Sequence, residues 1–478
     1  MSIRAIAVLL FGLSFLSFAL LSPQNPANVQ VVTRTALAIS ILDRGTVEIG
    51  PYARLTSDKA VYEGRVYADK VPGHSLLALP AVALGRFVRR LVGESTDSLD
   101  PAVLHAYSAW ATIGTNAPIS AAAVAVMFLL ALALGASRAG ALFAATCLGW
   151  ATPFFGWSTA FFAHSVAGSL LLFALAAIVR LFPLDPSLRL SRPRQLAGIV
   201  PLGVLLGYTP VVETLAAPVV VLLGLLVLWR AWHQQASAKQ FLAVLAALAL
   251  GGIVGALPLP IYNQIAFGSP LHLGYEDTSF SGMSDGFFGL TWPDPFVLGQ
   301  ILLGLYRGLV PLAPILAFVP FGIAAMFRQP SLRGVALLAA LAILTYLLIN
   351  ASYYYWNGGF STGPRQIIAM LPLACLPLAF AWPDGRAEQA VIGAFLLASL
   401  GMSLACALAG MFAPSRIIDE ISGWILPNAL AWANLPRALP IVLVWLLLGA
   451  MLLRLSGRPV RTGSTADRPP LAAQKDPS

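Results

Sequence analysis

Apolar residues fall along this chain in long unbroken runs rather than in the short alternations of a water-exposed fold. The runs lie near 3–22, 114–135, 140–158, 165–182, 196–212, 214–229, 240–262, 308–327, 334–350, 366–382, 388–411 and 438–455. Most approach the roughly 20 residues that an α-helix needs to cross a bilayer. They predict an all-α polytopic membrane protein with about twelve transmembrane helices, since helices satisfy their own backbone groups in lipid. The first run is read as a membrane helix rather than a cleaved signal peptide. Its length suits a span, and the Leu20-Leu21-Ser22-Pro23-Gln24 that follows is a poor small-residue cleavage site. The stretch Leu76 to Val92 is apolar enough to span but would break the alternation of sides. It is expected to lie in the interface, with Arg86, Arg89 and Arg90 at headgroup level.

The cations between the runs set an orientation. Arg138, Arg180 with Arg189, Arg192 and Arg194, Arg230 with Lys239, Arg328 with Arg333, Arg386, and Arg454 with Arg458 all fall on one side. Excess Arg and Lys marks the cytoplasmic loops, so both chain ends are expected to face the cytoplasm. Residues 24–112 then form a large first extracytoplasmic loop, and 263–307 and 351–365 are further outward loops. The whole of 1–455 reads as a single membrane domain. The segment 456–478 mixes Arg, Thr, Gly, Pro and Lys without apolar periodicity and is expected to be a disordered cytoplasmic tail.

Composition excludes a soluble fold. Of 478 residues 58% are hydrophobic and only 10% charged, with a mean hydropathy of +0.80, whereas a soluble domain carries roughly 25% charge. Cys147, Cys375 and Cys406 all lie inside apolar runs, without the paired spacing of a disulfide or zinc framework. The net charge of +9 fits a cytoplasmic-side bias of Arg, and no basic patch interleaves with aromatics, so nucleic acid is not an expected partner. No Gly-rich phosphate loop or Asp-x-Asp element stands in a cytoplasmic region.

The chemistry is concentrated in the outward loops. The first carries two acid-base dipeptides, Asp58-Lys59 and Asp69-Lys70, a hairpin's length apart, with Gly64 suited to a turn between them. Each would ordinarily be a solvated salt pair, and their duplication at the membrane surface is what draws notice. The second holds Tyr262-Asn263, Phe267-Gly268-Ser269-Pro270, Gly274-Tyr275 and Gly286-Phe287-Phe288-Gly289. Such a loop either folds over a sugar or headgroup or is simply ordered. The third runs from Tyr353 through Trp356 to Gly363-Pro364-Arg365, where an Arg at a helix start can bind phosphate beside backbone donors or serve as an interface anchor. His164 and Glu213 project to the same outer side. Ionisable groups at membrane depth are costly, which makes both functional candidates.

The long first loop, its acid-Lys element Asp69-Lys70 ahead of Pro72, and the later outward Arg365 together resemble the GT-C superfamily of polyprenyl-phosphate-sugar-dependent glycosyltransferases. The aminoarabinose transferases of lipid A and the protein O-mannosyltransferases belong there. Thr33-Arg34 through Gly45, followed by Tyr67 to Pro72, is similar to the stretch where the aminoarabinose transferases carry a Glu-Lys-Pro element. Arg44-Gly45-Thr46, the two Asp-Lys pairs, Tyr262-Asn263, Phe267 to Pro270 and Gly363-Pro364-Arg365 resemble a bacterial group of GT-C-like proteins. The resemblance covers roughly residues 1–380.

It implies a role for Lys70 on the lipid phosphate, with Asp69 as the adjoining acid. It also implies inversion at the sugar carbon, and a polyprenyl-phosphate-linked sugar and membrane lipids as partners. The chain departs from the family at Val31-Val32, where the family's acidic pair would fall. Asp69 and Asp58 are therefore the general-base candidates, with Asp43 behind them. Lys70, Lys59, Arg34 and Arg365 are the phosphate-binding candidates, and His164, Glu213, Tyr262, Asn263, Tyr275 and Trp356 are expected to line the substrate. His164 falls where some relatives place an acid, so a metal or acceptor contact stays open there and the cofactor is undetermined.

The expected activity is transfer of a sugar to a glycan, lipid or protein hydroxyl outside a bacterial inner membrane. The rival readings are a transporter or flippase, whose charge would sit inside the helices, and a non-catalytic assembly protein, which would need no paired Asp-Lys elements.

Overall fold

The computed structural model of the protein describes residues 1–25, 28–234 and 237–456. The tail expected over 456–478 lies, beyond its first residue, outside the described residues. Among those described, nine helices are long and apolar enough to cross a membrane. In chain order the principal elements are α1 (Ile3–Leu21), α2 (Val29–Arg44), β1 (Lys59–Tyr62), β2 (Arg65–Ala68), α3 (Gly73–Leu91), α4 (Pro101–Ala133), α5 (Arg138–Trp150), α6 (Ala163–Leu181), α7 (Arg192–Val212) and α8 (Thr214–Gln234). They continue with α9 (Ala238–Phe267), α10 (Pro314–Phe327), α11 (Pro330–Ser352), α12 (Arg365–Cys375), α13 (Arg386–Ala409) and α14 (Trp432–Ser456).

The protein is an all-α polytopic membrane protein. Nine of the predicted runs are the long helices α1, α4, α6, α7, α8, α9, α11, α13 and α14. The other three are shorter or broken. The run at 140–158 ends as α5 at Trp150 and resumes as one turn, Phe154–Trp157. The run at 308–327 becomes α10 after a separate turn at Leu309–Leu312, and that at 366–382 becomes α12 plus a turn at Leu378–Ala381. Pro153, Pro314 and Pro377 stand at these breaks, where proline removes a ladder donor.

Close packing in the bundle uses small residues. In α7 and α9, Gly203 and Gly207 face Gly251 and Gly255, and a methyl group at any of the four would run into a backbone carbonyl of the opposite helix. Two small-xxx-small faces bring these backbones together, as is usual where lipid supplies no hydrophobic drive between helices. Cys147, Cys375 and Cys406 are buried and unpaired.

The segment between α1 and α4 is folded. Asn28 caps α2, its side chain accepting from Gln30 N and Val31 N, and Gly45 ends it in the left-handed conformation at φ 62°. The β1–β2 pair is an antiparallel hairpin in the register Lys59 with Ala68 and Tyr62 with Arg65. Glu63 and Gly64, both at positive φ, make the two-residue turn expected at Gly64. The stretch read as interfacial is α3, which is not among the long apolar helices and leaves Leu84, Phe87 and Leu91 exposed. Its Arg86 is ion-paired with Asp43 at the end of α2, and Arg89 with Glu94 at 2.7 Å. The helix preceding the run at 114–135 begins earlier than the hydropathy suggests. Asp100 caps it by accepting from Ala102 N, and Pro101 occupies its first position.

The second loop packs onto the hairpin. Phe267 lies against Tyr62 and Tyr67 with ring centroids 5.7 and 5.4 Å away, Ala60 forms a β-bridge with Thr278, and Tyr262 donates to Ala68 O at 3.1 Å. The third loop closes on the second, with Tyr354 N donating to Gly289 O at 2.9 Å. Gly282 and Gly289 leave the space that the Tyr354 ring fills.

Candidate active site

The hairpin sets the first part of the site. Asp58 immediately precedes the hairpin and Lys59 opens it. Lys59 Nζ donates to Ala53 O at 2.5 Å, away from the acidic residues. At its exit, Lys70 Nζ lies 2.5 Å from Asp69 Oδ2 and 3.5 Å from Asp58 Oδ2. One lysine therefore serves both aspartates. Thr33 of α2 fixes this end by hydrogen bonds to Thr56 Oγ1 at 2.8 Å and to Asp58 O.

Burial governs the charges. It pushes the Asp69 carboxyl above its ordinary range, helped by the Asp58 carboxylate and opposed by Lys70 and Arg34. Asp69 Oδ1 is buried without a hydrogen-bond partner. Burial would lower Lys70, but Asp69 and Asp58 outweigh it and hold the ammonium charged. Tyr275 covers this group, with Lys70 Nζ 5.4 Å from its ring centroid, a cation–π distance. Asp69, Lys70, Tyr262, Asn263, Gly274 and Tyr275 line a small recess. Asn263 donates to Pro270 O at 3.2 Å and so also pins the second loop.

The helix ends supply the second part. Arg34 of α2 and His164 at the start of α6 converge on Glu213, in the break between α7 and α8. Arg34 Nη2 is 3.8 Å and His164 Nδ1 3.2 Å from Glu213 Oε2. Arg34 Nε and Nη1 are buried with no partner, leaving donors directed at nothing in the protein. Arg365, at the first position of α12, rests 5.3 Å over the Phe162 ring and interacts electrostatically with Asp58 and Glu213. The sequence candidates Arg34, Asp58, Asp69, Lys70, His164, Glu213, Tyr275 and Arg365 thus form one cluster, with Tyr262 and Asn263 on its wall. Three cations stand against three carboxylates. Lys59, Asp43 and Trp356 lie elsewhere, Trp356 packing edge-on to Tyr306 with centroids 5.9 Å apart.

Several residues of this region were not legible in the sequence. His74, fully buried at the start of α3, meets Asn116 Oδ1 at 2.9 Å, and Asn116 sits in a π-turn of α4 over Thr112–Asn116. Such one-turn widenings recur at functional sites. Burial, then the Arg34 charge, pushes His74 well below its ordinary value, so it is neutral. The loop that carries Arg365 is held by a pair far from it in sequence. Arg307 Nη1 donates to Glu420 Oε1 at 2.5 Å and Nη2 to Gly359 O at 2.7 Å, while Gly363 N donates to the same Glu420 oxygen at 3.0 Å. Arg307 itself adopts φ 64°, a conformation that costs a non-glycine residue energy and persists where its surroundings impose it. Among the described residues, no three His, Cys, Asp or Glu side chains are grouped as metal ligands would be.

No family model matches the sequence, and no curated protein does. Among solved structures, ArnT from Cupriavidus metallidurans bound to undecaprenyl phosphate aligns with a TM-score of 0.52 at 15% identity, covering 95% of this chain and 73% of ArnT. The apo crystal structure of the same protein aligns with a TM-score of 0.51, also at 15% identity, over 95% of this chain and 72% of ArnT. The chain therefore has a GT-C-like membrane fold, similar to that of ArnT, as the resemblance of its loops implied.

Proposed function

We propose that the protein is a membrane glycosyltransferase that moves a sugar from a polyprenyl-phosphate donor to an acceptor hydroxyl. It would act in a bacterial inner membrane, with the cluster on the extracytoplasmic side. The observation that carries this reading is the convergence of Arg34, Lys70 and Arg365 with Asp58, Asp69 and Glu213 from separate segments into one buried group. A transport path would instead need charge distributed along the helices. The charge here gathers in the loop layer and at helix ends. The ArnT fold, known with undecaprenyl phosphate bound, supports a lipid phosphate as the partner of these cations.

The chemistry follows from the charges. The acceptor oxygen forms a bond to the anomeric carbon as the bond from that carbon to the phosphate oxygen breaks. The acceptor proton passes to a carboxylate, and the electron pair leaves with the polyprenyl phosphate. Asp69 suits the proton, because burial makes it a stronger base and its Oδ1 has no competing partner. General-base help of this kind is worth about 10²–10⁴-fold. Lys70, Arg34 and Arg365 face the second negative charge that the leaving phosphate acquires, where fixed donors in a water-poor site act most strongly.

The test is native mass spectrometry of the detergent-purified protein with undecaprenyl phosphate. Retention of the lipid that is lost in Lys70→Ala is expected. Absence of binding, together with solute uptake in proteoliposomes, would replace this reading with a transporter.

A further inference from the structure

The outward loop of residues 263–307 contains near its end a nine-residue helix, Pro295–Leu303. Asp294 caps it by accepting from Phe296 N at 2.7 Å, and no charged residue stands between Asp294 and Arg307. Val297 and Ile301, one turn apart, are buried where the helix packs on α11. The opposite face is bare. Phe296 is 70% exposed and Leu303 68%, with Leu305 at 58% just beyond the helix and Trp292 at 90% just before it. A helix that is apolar on every side belongs in a core or in lipid. This one is too short for a span, which takes about 20 residues, and half of it faces away from the protein.

Its position is fixed by what it is tied to. Thr291 N donates to Ser352 O at 2.9 Å and Asp294 N to Ala351 O at 3.0 Å, so the helix starts at the outer end of α11. From one turn below that end, α11 exposes Leu348, Leu344, Leu341 and Leu337 in a single stripe at helical spacing, the lipid-facing side of a membrane span. Beyond the far end of the short helix, Leu305 O accepts from Glu420 N at 3.1 Å, which brings the exposed Ile418 to the same edge. Trp292 stands before this apolar edge and the exposed Arg416 after it. Tryptophan and arginine settle at headgroup level, with their rings and stems in the apolar layer.

We propose that Phe296, Leu303, Leu305 and Ile418 form a rim inserted into the outer leaflet of the bilayer, so that this part of the outward loop rests in lipid rather than in water. Large apolar patches on a protein surface mark contact with a partner or a membrane. Here the patch joins the outer end of the α11 stripe, which makes the leaflet its partner. Two residues beyond Leu305 and two beyond Ile418, Arg307 and Glu420 form their buried ion pair, and Arg307 Nη2 donates to Gly359 O in the loop that carries Arg365. The rim thus ties the height of that loop to the headgroup plane. This seating is independent of the reaction the charged cluster performs.

The experiment places single cysteines in the full-length protein as Phe296→Cys and Leu303→Cys; its own Cys147, Cys375 and Cys406 are buried. Each variant is labelled with bimane and reconstituted into vesicles of phosphatidylcholine and phosphatidylglycerol. Leu344→Cys on the α11 stripe is the lipid reference, and Arg65→Cys, exposed on β2, the water reference. Quenching by a lipid with a nitroxide near its headgroup is compared with quenching by iodide on both sides of the membrane. At Phe296→Cys and Leu303→Cys the lipid should quench strongly and iodide quenching should be largely lost, as at Leu344→Cys. Trp292→Cys, replacing a side chain that is almost wholly exposed, repeats the test before the helix with the least disturbance of packing. Iodide quenching as strong as at Arg65→Cys would put the face in water and overturn the proposal. Protection from both quenchers, the mark of a second copy or another protein covering the face, would overturn it as well.

Discussion

Lys70 Nζ stands 3.5 Å from Asp58 Oδ2, although the two residues begin and end a hairpin. The Glu63-Gly64 turn closes that hairpin and brings the second Asp-Lys dipeptide back to the first. Lys59 turns instead to Ala53 O, so four charged residues yield one lysine between two carboxylates. The arrangement separates roles that the sequence leaves equivalent.

The aspartates should differ in consequence. Asp69→Asn is expected to insert and fold yet lower transfer by about 10²–10⁴-fold, whereas Asp58→Asn should leave a larger residual rate. Radiolabelled transfer in reconstituted vesicles measures both. Full activity in Asp69→Asn would move the base elsewhere.

Among the cations, Lys70→Ala and Arg365→Ala should weaken donor binding more than acceptor binding. Lys59→Ala should change neither, since its ammonium is spent on Ala53 O. Titration with undecaprenyl phosphate distinguishes them, and a Lys59→Ala loss equal to that of Lys70→Ala would contradict the separation of the two lysines.

The Arg307–Glu420 pair should be structural in energy and catalytic in effect. Removing one partner of a buried pair leaves an uncompensated charge and costs about 3–5 kcal/mol. Glu420→Gln should therefore lower the melting temperature and also loosen the loop that presents Arg365. The double variant Arg307→Met with Glu420→Leu should recover much of the stability but not the donor affinity. Recovery of both would mean that the pair does not position Arg365.

The pH profile follows from Asp69. Its carboxyl is raised, by burial first, and a base acts only when ionised, so activity is lost as pH falls through that raised value. The acid limb of kcat/KM should lie above the ordinary aspartate value of about 3.9. In Asp58→Asn the limb should move to lower pH, because one of the charges raising Asp69 is gone. A limb that does not move would exclude the coupling.

Much of the scaffold could be read from the chain because long apolar runs have few alternatives in lipid. The hairpin was legible in part, since the spacing of the two Asp-Lys pairs and Gly64 between them pointed to a turn, but the two strands themselves went unspecified. The breaks after Trp150 and near Pro314 and Pro377 were not, because hydropathy averages over the prolines that cause them. Arg307 and Glu420 are 113 residues apart, and nothing local in either marks the other. Lys59 was misleading because a dipeptide conveys charge but not the face to which each side chain turns.

The charged cluster draws on the first loop, the break after α7, the start of α6, the second loop and the start of α12, so it spans the sequence from Arg34 to Arg365. During synthesis the segment bearing Asp69 and Lys70 leaves the ribosome early, but its counterpart Arg365 is added only after most of the helices have been inserted. The two aspartates and their lysine therefore precede Arg365 in synthesis, and the cluster is incomplete until that residue is added. Under the proposed function, chains truncated before α12 would carry the acid-base hairpin without Arg365, so activity should begin only once the late helices are in place.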